Sequence, residues 1–160
     1  MYKTVLLPTD FTINSLNAAK KVIDNGSIEK IDFVFIHGIH LTDSISDLLF
    51  FSKDTVIEKL SNEDFKKSCI LFQELYAEKI NSLKIELFTG FTQTAFNNLL
   101  SALKIDEIYL PEHFPLTLTN AMSADLTKYL KRANIEKTRY IDSQVADELL
   151  HENQILHKLA

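Results

Sequence analysis

The chain is poor in the residues on which compact catalytic and metal-binding motifs depend. Its three glycines, Gly26, Gly38 and Gly90, lie far apart, so it contains no GxGxxG fingerprint and no GKS or GKT phosphate loop. There is no GxSxG elbow and no Cys–His nucleophile signature. Cys69 is the only cysteine and falls in a predicted helix, which excludes a disulfide framework and a cysteine-based zinc site. Arg132 and Arg139 are the only arginines, so bidentate phosphate clamps are scarce. A net charge of −5 and a pI near 5.5 argue against a nucleic-acid binder or an anionic-membrane binder, each of which needs a basic face. Long apolar runs are absent too: the opening stretch ends at Pro8, too short for a signal peptide or a membrane span. A cytoplasmic protein is the expectation, without nucleic-acid or membrane partners.

What is present is ordinary globular material. Of 160 residues, 46% are apolar and 24% charged. A chain of this size forms one domain and buries roughly 70% of the surface exposed by its unfolded form. Tyr2–Leu7 reads as a strand, followed by a helix capped by Asn14 or Ser15, with Leu16, Ala19, Val22 and Ile23 on one side and Gly26 past its end. Ile31–Ile39 is nearly all apolar, as a strand covered on both faces should be. SISDLLFF within residues 43–60 has no clear period. Ser61-Asn62-Glu63-Asp64 resembles a capping box that opens a helix with Phe65, Cys69, Phe72, Tyr76 and Ile80 as its stripe. Strands at 83–88, 107–110 and 135–141 then alternate with helices opening at Thr92, over 121–133 and over 143–159. This alternation implies an α/β fold with a mostly parallel sheet and right-handed crossovers.

The opening VLLPTDF-x3-S-x2-A, a second strand ending in Ile36-His37, Gly90 followed by Ala95, and the run IDEIYL occur in an order that resembles the universal stress protein family. The likeness extends from residue 2 to about 141. It implies a Rossmann-like, adenine nucleotide alpha hydrolase-like domain: an open, five-stranded parallel sheet of order 3-2-1-4-5 with helices on both faces. Residues 1–141 would form that domain, and 142–160 an added amphipathic C-terminal helix with Val145, Leu149, Leu156 and Leu159.

Nucleotide-binding members of that family carry, after the fourth strand, Gly, two residues, Gly, nine residues, Gly, then Ser or Thr. Glycines let the backbone approach phosphates, and N–H groups at a helix start point at the anion. Here the glycine positions hold Pro111, Phe114 and Ala124, and the hydroxyl position holds Asp125. Pro111 has no N–H to donate, and Phe114 places a ring where backbone should touch the ligand. Asp125 and Glu112 would repel a triphosphate. Each like-charge contact at ~4 Å and an effective dielectric near 20 costs on the order of 4 kcal/mol. Two such contacts cancel a micromolar affinity worth roughly 8 kcal/mol. A two-residue slip offers Ser123 but recovers no glycine. The departures argue against ATP and leave no cofactor expected.

For the nucleoside half, the resemblance maps base- and ribose-holding positions to Pro8, Thr9, Asp10 and Gly38, with Glu112 and His113 beside them. Asp10 can accept from a ribose or amino group; alternatively Thr9 and Asp10 hydrogen-bond their own loop. Gly38 replaces a branched apolar residue and thins one wall of the base pocket. Strand order 2-1-4 would bring Asp10, His40, Glu112 and His113 to one edge as weak candidates for a divalent metal, although no HxH or HxxxH spacing ties any pair. His37, inside an apolar strand, reads as a hydrogen-bonded core histidine.

Two departures from the family bear on partners. Its fifth strand is apolar and often pairs with its twin, whereas here Lys137 and Arg139 charge that strand. The C-terminal helix and the apolar residues 48–51 need cover, from the chain's own sheet, a twin subunit or another protein. The leading expectation is a non-catalytic, stress-response or regulatory domain that does not bind ATP, works through protein contacts and forms a homodimer. The alternative is a regulator binding a small ligand or adenine nucleotide in the crevice at the C-terminal ends of strands 1, 2 and 4. A metal-dependent hydrolase on Asp10, His40, Glu112 and His113 ranks below both.

Overall fold

Strands and helices alternate along the chain as the sequence predicts. The computed structural model describes residues 2–26, 30–41, 49–111, 122–135 and 138–141, with Pro111 and residues 138–141 described by backbone alone. The opening run forms β1 (Tyr2–Pro8), followed by α1 (Asn14–Asp24) and β2 (Lys30–Ile39). Helices α2 (Lys53–Leu60) and α3 (Glu63–Leu75) precede β3 (Ile80–Phe88). Next come α4 (Gln93–Ala102), β4 (Glu107–Pro111), the two-residue β5 (Ser123–Ala124), α5 (Thr127–Lys131) and β6 (Thr138–Ile141).

The sheet has the order β3-β2-β1-β4-β6, with every pair along that path parallel. With β6 as the fifth strand, this is the expected order 3-2-1-4-5. The addition is β5, which pairs antiparallel with the end of β2. Alternation along the central strands sends side chains to two cores. Val5 and Leu7 of β1, with Phe33 and Phe35 of β2, pack with Leu16, Ala19 and Val22 of α1 and Phe65, Cys69 and Phe72 of α3. Leu6, Val34 and Ile36 face the other way, onto Phe96 and Leu100 of α4, Leu126 at the start of α5 and Leu130 within it. Both faces being covered explains why β1 and β2 read as unbroken apolar runs.

Local details correct the sequence reading in four places. Neither Asn14 nor Ser15 caps α1: the N-cap is Ile13, with no side-chain bond, and the Ser15 hydroxyl is taken by Thr9 Oγ1 at 2.7 Å. Helix α3 does open on the Asn62 side chain, which accepts from Phe65 N at 2.7 Å, but it stops at Leu75. The amides of Lys79 and Ile80 both donate to the Tyr76 carbonyl, and this turn feeds Ile80 into pairing with Ile31. Sheet pairing overrides the helical spacing of Tyr76 and Ile80. Among the described residues of 121–133 only Thr127–Lys131 is helical, because Ser123 and Ala124 are drawn onto β2. Leu49 and Phe50, within the apolar stretch 48–51 expected to find cover, are 74% and 85% exposed. Leu48 and the predicted helix at 143–159 lie outside the described residues.

Candidate functional site

The C-terminal edge of the sheet is where a parallel α/β fold gathers its ligand-binding groups. β1 leaves the sheet after Pro8, with one further bond from Thr9 N to the Ile36 carbonyl at 2.9 Å. The loop then closes on itself. Thr9 Oγ1 accepts from Phe11 N at 3.0 Å, and Asp10 Oδ1 accepts from Thr12 N at 3.1 Å and also from the Thr12 hydroxyl. These short-range bonds are the turn chemistry of Thr and Asp side chains. Phe11 takes φ +59°, a left-handed backbone that a bulky residue adopts only when its surroundings compel it. The compensation is burial: its ring meets the imidazole of His37 edge-on at 4.8 Å and the Phe65 ring at 5.7 Å.

His37 stands at the centre of this edge. It is buried, with Nδ1 at 2.7 Å from the Thr9 carbonyl oxygen and Nε2 at 2.7 Å from Ser123 Oγ. A carbonyl only accepts, so Nδ1 carries the proton. Burial holds the imidazole pKa below its ordinary value, while the Thr9 carbonyl and the charge of Asp10 oppose the shift. The ring is therefore neutral, Nε2 is a bare acceptor, and the Ser123 hydroxyl donates to it.

Beyond Ile36 the edge of β2 that β1 vacates is filled by β5. Gly38 stands opposite Ala124 and Ile39 opposite Ser123, and His40 N donates to the Met122 carbonyl at 2.7 Å. A Cβ on Gly38 would lie 2.5 Å from the Ala124 carbonyl oxygen and 2.7 Å from Leu126 Cδ2. The expectation that Gly38 thins one wall of a base pocket is thus corrected: the space above it is occupied by the chain's own strand. Asp125 Oδ1 accepts from Thr127 N at 2.9 Å and Thr127 Oγ1 at 2.5 Å, fixing the start of α5. The far side of this segment is held as well, for Tyr129 OH donates to the Phe91 carbonyl at 3.0 Å and Gln93 Nε2 to the Tyr129 carbonyl at 3.0 Å.

The edge thus brings Pro8, Thr9, Asp10, His37, Gly38, Ser123, Ala124 and Asp125 together. His40 is exposed just past β2, and Pro111 ends β4 with its backbone paired to Ile141. Glu112, His113 and Phe114 lie outside the described residues, and with them half of the proposed metal set. Among the described residues, no group of three histidine, cysteine or acidic side chains could hold a metal ion, and no helix is long and apolar enough to cross a membrane. Sequence reasoning placed His37 as a hydrogen-bonded core residue but missed its partner Ser123. The only signal was a hydroxyl two positions before the expected one.

No protein-family model and no curated protein matches the sequence. Solved structures do match in shape. Universal stress protein UspA from Lactobacillus plantarum superimposes with a TM-score of 0.50 at 16% identity, over 88% of this chain and 97% of that one. A universal stress protein family member from Burkholderia pseudomallei gives 0.52 at 9% identity, covering 88% and 96%. The hypothetical protein MJ0577 gives 0.53 at 21% identity, covering 89% and 96%. At such identities the likeness establishes architecture, and the chain has the universal stress protein fold.

Proposed function

We propose that this chain is a regulatory domain of the universal stress protein type whose nucleotide crevice has been taken over by its own backbone, and which acts through contacts with other proteins. The observation that carries the reading is the pairing of β5 with Gly38 and Ile39. It brings the Ala124 carbonyl oxygen to 2.5 Å from the position of a Gly38 Cβ. Three further features support it. Asp10 gives a carboxylate oxygen to its own loop, Asp125 supplies the negative charge at the start of α5, and Pro111 offers no amide. A triphosphate brought here would meet the Asp125 carboxylate where the nucleotide-binding pattern of the resembled family calls for a hydroxyl.

Titration calorimetry with ATP and magnesium, together with native mass spectrometry of the freshly isolated protein, tests this reading. The expected result is no heat at millimolar nucleotide and no co-purified ATP or AMP. Stoichiometric nucleotide in the isolated protein overturns it. A homodimer is part of the same proposal; light scattering on the full chain and on a truncation after Asp142 reads it, and monomers in both samples remove it.

A further inference from the structure

We propose that Ser123 is a nucleophile activated by His37, able to accept an acyl group from a small activated ester. The proposal goes beyond the regulatory reading and does not depend on it. Three parts of a nucleophile–base–orienter arrangement are in place at the sheet edge. The Ser123 hydroxyl lies 2.7 Å from His37 Nε2, within the reach expected of a nucleophile and its base. The opposite ring nitrogen is fixed at 2.7 Å by the Thr9 carbonyl, which selects the tautomer with a bare Nε2. The imidazole plane is held edge-on by Phe11 at 4.8 Å and 64°, so the ring cannot rotate away without disturbing the core. His37 is buried while Ser123 is half-buried, so the serine is the more accessible member of the pair. The two residues meet across 86 positions of sequence.

In the acylation step, Ser123 Oγ bonds to the carbonyl carbon of the ester as its proton passes to His37 Nε2. The bond from that carbon to the leaving oxygen then breaks, and the departing alkoxide takes the proton from Nε2. The products are an acyl-serine, the free alcohol and the original neutral imidazole. No redox partner is required.

The probe is p-nitrophenyl acetate, read by release of p-nitrophenol and by peptide mapping of the acetylated protein. The expected result is acetylation of Ser123, abolished in S123A and slowed on the order of 10²–10⁴-fold in H37Q, the usual range for removing a positioned base. The Ser123 rate should rise as His37 loses its proton below pH 6.5 and then level off, unlike acetylation of surface lysines, which climbs into the alkaline range. Acetyl groups on lysines alone, or an unchanged Ser123 rate in H37Q, overturn the proposal. Should H37Q fail to fold, S123C gives a second reading. Burial pushes the native Cys69 thiol up to about 12, so iodoacetamide reports only the introduced thiol. That thiol should react faster than a free cysteine at neutral pH, and a rate no faster overturns the proposal.

Discussion

His37 Nδ1 donates to the carbonyl oxygen of Thr9 at 2.7 Å, joining the last turn of one central strand to the start of the loop after the other. The bond spans 28 residues of sequence and links β2 to the departure point of β1. Because the acceptor is backbone, no side-chain substitution at Thr9 can remove it.

The first prediction concerns acidity. The folded chain holds His37 below the ordinary value of 6.5, whereas the unfolded chain protonates it near that value. The unfolded state then binds the extra proton as pH falls through about 6.5, so stability declines below that point. The decline continues only until the folded protein also takes up the proton. Its slope from this one group cannot exceed about 1.4 kcal/mol per pH unit. Urea midpoints measured from pH 8 to pH 5 should fall in the wild type, and H37Q should lose this component of the slope.

Gly38→Val tests the closeness of β5. The new Cβ would sit 2.5 Å from the Ala124 carbonyl oxygen, a distance that forces β5 off β2. Overpacking of this kind costs about 1–3 kcal/mol. Urea denaturation reads the loss, and hydrogen exchange should show the His40 amide, bonded to Met122, losing protection before the rest of β2.

A third expectation is a gain. Helix α4 ends with Lys104 at φ +56°, where Lys104 N donates to the Ser101 carbonyl and Ile105 N to the Leu100 carbonyl. That double bond pattern is a Schellman ending, whose left-handed residue is best filled by glycine. Lys104→Gly should raise stability by about 1 kcal/mol, seen as a higher urea midpoint at unchanged m-value.

Asn17 offers another. The residue is 7% exposed, and neither amide atom has a hydrogen-bond partner among the described residues. An unsatisfied buried amide costs about 1–3 kcal/mol, so Asn17→Leu, with the same branched arrangement of side-chain heavy atoms, should stabilise the protein. Thermal unfolding of the variant checks this, and a lower midpoint would show that the amide has an unrecognised role.

The fold was legible because its central strands bury both faces. Val5 to Leu7 and Phe33 to Ile36 read as apolar runs for the same reason that they supply both cores. Caps with a side-chain oxygen were legible as well, for Asn62 and Thr92 each take the amide three residues on. Competition between local pattern and long-range pairing hid the rest. Tyr76 and Ile80 continue a helical stripe, yet Ile80 is claimed by β2. Ser123 and Ala124 precede a helix, yet they pair with Ile39 and Gly38 more than eighty positions away. The site suffered most, because its polar bonds join Thr9, His37 and Ser123, and nothing in their spacing announces the contact.

β1 turns out of the sheet three residues before β2 ends, and a parallel strand that outlasts its neighbour exposes a row of unsatisfied amides and carbonyls. Bare edges of that kind recruit strands from other molecules. By laying Ser123 and Ala124 along Ile39 and Gly38, the chain seals the gap with its own backbone. Loosening that seal would put at risk not only the crevice but the solubility of the protein, since the freed margin would invite stacking between neighbouring copies.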